Sequence, residues 1–503
     1  MTARTVAAVD LGAESGRVTA VSLSGGKLSV DIANRFANTP RPHDGLLRWN
    51  ITDLWANIEA GLGVLAAGSR PISSVGVDTW GVDYGLLSAS GRLLDDPVSY
   101  RDERNSRSLE QALAAVGPAR IYGATGVQIL GINTLFGLMA DARDQPERLA
   151  RARTLLMMPD VFHHRLSGCL VSEYTAVSTT GAYDMAGNRW ATELLDELGV
   201  PTHMLPEVAG PGTDVGPLVG AAATGALSGA RVILPPGHDT ASAVVGVPFA
   251  EPGGLFISSG TWSLVGVEVP APVISAATQR ANLTNEGGYA GTIRLLRNVM
   301  GLWILQECRR QWAREGTVLE YAELVEMAAA EPGVRTVINP DAPEFLAPGD
   351  MPGRIRQYCA RRGLTVPDSI GALARCIIDS LALGYRAVVD DLEAVTGSRP
   401  RSVNIVGGGA NNTLLSQLTA DATGLPVHCG PVEATALGNG AVQLAALGEF
   451  AGPADIRAAI AASTQMRIYP PRPGDSWSQA ASDFHRLRTD DLAGAPATAG
   501  STG

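Results

Sequence analysis

Val6-Ala7-Ala8-Val9-Asp10-Leu11-Gly12-Ala13-Glu14-Ser15-Gly16-Arg17 is the stretch from which the fold can be read. A short apolar strand enters a small-residue turn and leaves through another apolar run over residues 18–23. The pattern returns as Leu255-Phe256-Ile257-Ser258-Ser259-Gly260-Thr261-Trp262-Ser263-Leu264-Val265. Small residues let backbone N–H groups come close to an anion, and successive N–H groups form a nest for it. Alone, either segment reads as an ordinary hairpin with a tight glycine turn. Their duplication, each opening a new half, predicts two lobes gripping one polyphosphate.

The 503 residues correspond to about two to four domains. A composition 45% hydrophobic and 18% charged is that of a globular protein with ample core. A net charge of −11 argues against nucleic acid or an anionic membrane as partner. Local nests and helix N-termini can still hold a phosphate. No leader or apolar run of membrane-spanning length stands out. Five scattered cysteines without metal spacing suggest a reducing cytoplasm. Cys359 and Cys376 are candidate neighbours, but no disulfide is expected.

Lys27 is the only lysine and lies in a Gly-Gly turn. A P-loop needs Gly-Lys-Ser/Thr and a protein kinase needs a strand lysine, so both are excluded. Any nucleotide must be held by backbone N–H groups, hydroxyls, Arg17 and a metal ion.

Strands are expected at 6–9, 18–23, 28–36, 72–77, 231–234 and 402–406, with helices at 51–67, 106–116, 134–142, 241–245, 301–314, 370–395 and 413–423. The Pro- and Gly-rich segment 247–254 reads as a linker between lobes 1–246 and 247–470, and 489–503 as a disordered tail. Strands alternating with helices, twice over, predict an α/β fold of two lobes with mixed sheets flanked by helices. A ligand would lie at strand C-terminal ends, where the motifs fall.

Asp10 ends a buried strand beside the first turn and suits Mg²⁺, directly or through water; its bland role is a turn aspartate. Asp239 follows Pro235-Pro236-Gly237 at a helix start, where the ionised carboxylate is favoured and could accept a proton; its bland role is a helix cap. Gly407-Gly408-Gly409 suits close approach of a base or ribose, or is only a turn. Residues 78–85 offer two carboxylates, a tryptophan and two glycines, either a sugar pocket with an aromatic wall or a structured turn. The seven histidines form no metal pair, and no Gly-x-Ser-x-Gly elbow occurs.

With these segments assembled, the chain resembles the FGGY carbohydrate kinases, from Val9 to about Leu447. The likeness is dense at 10–17, 77–85, 99–104, 158–160, 237–244, 257–264, 282–288, 298–307, 405–412 and 430–438. It implies two ribonuclease H-like, actin-like ATPase lobes with the active site in the cleft between them. It also implies ATP-dependent phosphorylation of L-rhamnulose at its 1-hydroxyl in L-rhamnose degradation, with Mg²⁺ as cofactor. Carried over, Asp239 matches the proton acceptor. Ala13, Glu14, Ser15, Gly16, Arg17, Thr261, Gln306 and Gly408 match ATP contacts; Gly81, His238, Asp239, Thr240 and Asn298 match sugar contacts.

Many relatives have Ser where Glu14 stands, and Gln128-Ile129-Leu130-Gly131-Ile132-Asn133 lacks the Phe-Leu-Pro-Phe often found there. Sugar preference is therefore less determined than kinase activity. A kinase for L-fuculose or L-ribulose is the alternative within enzymes. An ATPase switch of the actin/Hsp70 kind is the alternative outside them.

Overall fold

The computed structural model describes residues 4–249, 253–472, 474 and 476–494. They form two compact units. The first comprises residues up to Pro248 together with Glu268–Leu296 and Glu433–Thr464; the second comprises Phe249–Val267, Arg297–Val432 and residues from Gln465 onward. The chain therefore leaves and re-enters the first unit rather than crossing once at the linker.

In the first unit the hydrogen-bonded strand order is Asp214–Pro217, Arg231–Ile233, Ile72–Thr79, Arg4–Leu11, Ser15–Ser24, Lys27–Ala37. Arg4–Leu11 pairs antiparallel with Ser15–Ser24 and parallel with Ile72–Thr79. The two central strands are buried almost throughout, as parallel pairing with covered faces requires. Helix Ile51–Ala66 covers one face. Asn50 caps it through the Asp53 N–H, and Ile51, Leu54, Ile58 and Leu62 turn inward at helical spacing. They join Val9, Leu11, Val18, Val75 and Val77 in one core.

The second sheet repeats that order in six of its seven strands, Arg467–Tyr469, Val427–Cys429, Val403–Val406, Leu255–Ser259, Trp262–Val269 and Ile293–Met300; the seventh, Thr284–Gly287, pairs with Ile293–Met300. Leu255–Ser259 is antiparallel to Trp262–Val269 and parallel to Val403–Val406, as its counterpart is in the first unit. The duplication read from two hairpins thus extends to whole sheets. Helices Ile370–Thr396 and Thr413–Thr423 flank this sheet, and each stops at a glycine with positive φ, Gly397 and Gly424.

Some expectations need correction. Residues 489–494 belong to helix Ser476–Gly494 rather than to a disordered tail; 495–503 lie outside the described residues. Asp491 accepts from Asn339 and Tyr358 and pairs with Arg362, which anchors the end of that helix. The helix expected at 106–116 runs as Arg104–Thr125, with a break at Gly117 before Pro118. All five cysteines are free, although Cys359 and Cys376 touch through their thiols. Among the described residues no helix is long and apolar enough to cross a membrane.

Candidate active site

The first hairpin closes through Gly12 N–H to the Ser15 carbonyl (2.9 Å), and Asn38 clamps it by donating to the carbonyls of Gly12 (2.8 Å) and Glu14 (2.9 Å). Ala13, Glu14 and Ser15 are half-buried at its tip. Gly16 has a packing reason of its own: a Cβ there would stand 2.5 Å from the Phe36 ring.

Behind the tip lies a cluster of charge. Asp10 and Arg17 are register partners, with Arg17 Nε 2.9 Å from Asp10 Oδ2, and Arg17 also pairs with Glu433. Glu433 in turn holds Arg35 at 3.1 Å. Asp10 is opposite Asp78 on the parallel neighbour. Asp78 accepts from Asn439 Nδ2 at 2.6 Å, while its buried Oδ1 has no partner. Burial pushes the Asp10 carboxyl up to about 6, against the pull of Arg17 and with help from Asp239 and Glu433. Burial and Asp10 push Asp78 well above the carboxylate range.

Helix Asp239–Val245 begins one residue after His238, which occupies the cap position in extended conformation without a side-chain capping bond. Asp239 therefore does not cap. Its carboxylate, 29% exposed, accepts from Thr240 Oγ1 at 3.2 Å and faces His238 Nε2 at 3.3 Å. The loop before it hangs on buried Glu173, which accepts from Gly237 N–H (2.8 Å) and from Thr175 Oγ1 (2.6 Å); Thr175 Oγ1 also receives the His238 N–H (3.1 Å). Burial raises Glu173 to about 7. On the far side of the imidazole stand Glu286 and the fully buried Arg294.

Gly81 opens a γ-turn: Asp83 N–H donates to the Gly81 carbonyl (2.9 Å) around Val82, whose φ is +67°. A β-branched residue rarely holds that conformation, and such strain gathers at functional sites. Thr179 and Thr134 pin Val82 from both sides. A Cβ on Gly81 would lie 3.3 Å from His238 Nε2, so the turn and the imidazole adjoin. The aromatic wall is not present. Trp80 is buried against Trp49 with ring centroids 4.1 Å apart, and both indoles donate to Asp83. Within 78–85 the tryptophan thus braces the turn, and Gly81 is the part that adjoins His238.

In the second unit, the carbonyls of Gly260 and Thr261 receive Leu302 N–H (3.0 Å), Gly301 N–H (3.2 Å) and Trp303 N–H (3.3 Å). This seats the second hairpin on the start of helix Trp303–Arg314, which carries Gln306 with a buried, unpartnered Oε1. The glycine triplet divides by role. Gly407 has φ +79°, and a Cβ on Gly409 would strike Ser259 Oγ at 2.0 Å, whereas Gly408 is exposed with nothing near its Cβ position. The glycine loop thus meets the end of strand Leu255–Ser259 just before Thr261, and Gln306 lies one turn into the helix seated there; Asn298 is half-buried on Ile293–Met300.

The donors suit Mg²⁺, which takes one or two carboxylates and fills its remaining positions with water and phosphate oxygens. Asp10 and the unpartnered Asp78 Oδ1 offer such a pair. Among the described residues no trio of His, Cys, Asp or Glu could hold a metal by itself. Sequence reading did not single out Asp78, Glu433, Glu173, Glu286 or Arg294 as site residues. Asp78, Glu286 and Glu433 lay in quoted motifs, but the burial of Asp78, the Arg294 contact of Glu286 and the Arg17 pairing of Glu433 show only in the fold.

Comparison with known proteins follows the same lines. The profile of the FGGY family of carbohydrate kinases, N-terminal domain, matches residues 5–246, and that of its C-terminal domain matches 255–447. The rhamnulokinase of Bacteroides thetaiotaomicron is 40% identical over 475 residues, 94% of this chain and 97% of its own. That of Pectobacterium carotovorum is 42% identical over 474 residues, 94% of each. Among solved structures, xylulose kinase from Lactobacillus acidophilus aligns with a TM-score of 0.81 over 98% of this chain and 99% of its own at 17% identity. Plasmodium falciparum glycerol kinase with ADP aligns at 0.75 over 99% of each chain at 13% identity. These last two share the fold. With both halves matched in order, the chain belongs to the FGGY family of carbohydrate kinases.

Proposed function

We propose that this enzyme transfers the γ-phosphoryl group of ATP to the 1-hydroxyl of L-rhamnulose, giving L-rhamnulose 1-phosphate and ADP in L-rhamnose degradation. The observation that carries the reading is Asp239, a carboxylate freed from capping duty beside His238 and the Gly81 turn. The rhamnulokinases at 40–42% identity support the choice of sugar.

Asp239 accepts the hydroxyl proton late, because phosphoryl transfer passes through a loose transition state in which alignment and charge stabilisation dominate. Gly81, His238, Thr240 and Asn298 orient the sugar. Ala13 to Arg17 hold the phosphates through backbone N–H groups and the Arg17 guanidinium. Thr261, Gln306 and Gly408 take the rest of the nucleotide. Asp10, with Asp78 behind it, would hold Mg²⁺, which when bound supplies positive charge against the phosphates. The first hairpin and the sugar groups Gly81, His238, Asp239 and Thr240 belong to the first unit, and the second hairpin, Asn298, Gln306 and Gly408 to the second. The cytoplasm, where ATP is made, is the proposed location.

A panel of L-rhamnulose, L-fuculose and L-ribulose in an ADP-release assay tests the sugar. The highest kcat/KM is expected for L-rhamnulose; a clear preference for another ketose overturns that choice.

A further inference from the structure

We infer that Arg294, braced by Glu286, is a positioning residue that fixes the His238 imidazole with its proton on Nε2, aimed at the sugar side of Asp239. The inference deepens the reading of His238 and Asp239 as sugar-side groups and rests on it.

Glu286 and Arg294 are directly opposed in the antiparallel pairing of Thr284–Gly287 with Ile293–Met300. Arg294 is fully buried, its Nε donates to the Gly287 carbonyl at 2.8 Å, and its Nη2 lies 3.1 Å from Glu286 Oε2. The same Nη2 is 3.2 Å from His238 Nδ1. A guanidinium has only donors, so Nδ1 must present its lone pair. The bond at one ring nitrogen decides where the proton sits on the other. Neutral His238 then carries its hydrogen on Nε2, 3.3 Å from Asp239 Oδ1 and beside the Gly81 turn.

Glu286 Oε2 lies 3.3 Å from Nδ1 and would favour the opposite tautomer, but the Arg294 guanidinium engages the same oxygen. The opposite tautomer would turn a lone pair toward the Asp239 carboxylate, where two acceptors repel. It would also leave no donor for a sugar oxygen. Arg294 thus sets ketose binding without touching the ketose, as outer groups orient the imidazoles of other sites.

The experiment is ¹⁵N–¹H correlation NMR of the imidazoles in the whole resting protein, with the His238 signals assigned by their loss in His238→Gln. The structure predicts a protonated Nε2 and a bare Nδ1; a proton on Nδ1 overturns the inference, whatever the enzyme's activity. Arg294→Met, which keeps length and loses the donors, should raise KM for the ketose about tenfold or more while KM for ATP stays within about twofold. Arg294→Lys should recover part of that loss. An unchanged ketose KM in Arg294→Met overturns the inference. Should that variant fail to fold, the resting spectrum of the parent still decides. An Nε2 proton in a protein that phosphorylates no ketose would instead sink the proposed function and leave the tautomer lock standing.

Discussion

Asp10 and Asp78 are opposed across the parallel strands Arg4–Leu11 and Ile72–Thr79, both buried, with Asp78 Oδ1 unpartnered. Two carboxylates so placed oppose each other's ionisation, and a cation bound between them relieves that opposition. Asp78→Asn retains an oxygen for Asn439 and removes the buried acid. Activity should fall about tenfold or more, with thermal stability at pH 8 unchanged or higher. Full activity in this variant would remove Asp78 from the site.

Asp239→Asn keeps the side-chain shape and loses the proton acceptor. The expected cost in kcat is about 10²- to 10⁴-fold, with ATP affinity retained. Isothermal titration with ATP beside turnover measurements separates the two effects; turnover at the parent rate would show that the base lies elsewhere.

The glycine triplet yields a paired prediction. Gly409→Ala drives a methyl into Ser259 and should cost about 1–3 kcal/mol of stability. Gly408→Val has open space around its Cβ, so stability should hold while KM for ATP rises about tenfold. Denaturant midpoints and ATP kinetics on both proteins check it, and the reverse pattern would misassign the two glycines.

Burial raises the Asp83 carboxyl to about 7, against the indole N–H groups of Trp80 and Trp49. The acid ionises in the unfolded chain near its ordinary pKa of about 4 but in the folded protein only near 7. Its contribution is therefore fully present below about pH 4 and is lost as pH rises through 7. Over that window it amounts to at most about 4 kcal/mol. Asp83→Asn should flatten the decline in urea-unfolding stability between pH 5 and 8, and an identical slope in both proteins would contradict the shift.

Much of the architecture was legible because its signals are local. The two strand-turn-strand segments, the helix from Ile51 and helix Thr413–Thr423 all follow from periodicity and punctuation. The site was legible only where a motif carried it. Whether Asp239 caps or stays free depends on which residue adopts the extended conformation before the helix, and His238 does so because Thr175 holds its N–H. Trp80 could read as an aromatic wall until Trp49, distant in sequence, folds against it and shares Asp83. Asp78 looked like one polar residue in a turn motif; its side-chain partner, Asn439, lies far along the chain. The tail was misread because polar, small-residue composition conceals the anchor that Asp491 finds on Asn339, Tyr358 and Arg362.

The central claim is a phosphoryl group delivered to one hydroxyl of one ketose under the care of Asp239. Incubation of the purified enzyme with ATP, Mg²⁺ and L-rhamnulose, followed by ³¹P–¹H correlation NMR of the product, tests it most directly. The account predicts phosphorus coupled to the C1 methylene protons, and loss of that signal with Asp239→Asn; phosphate on another carbon, or release of inorganic phosphate alone, would contradict it.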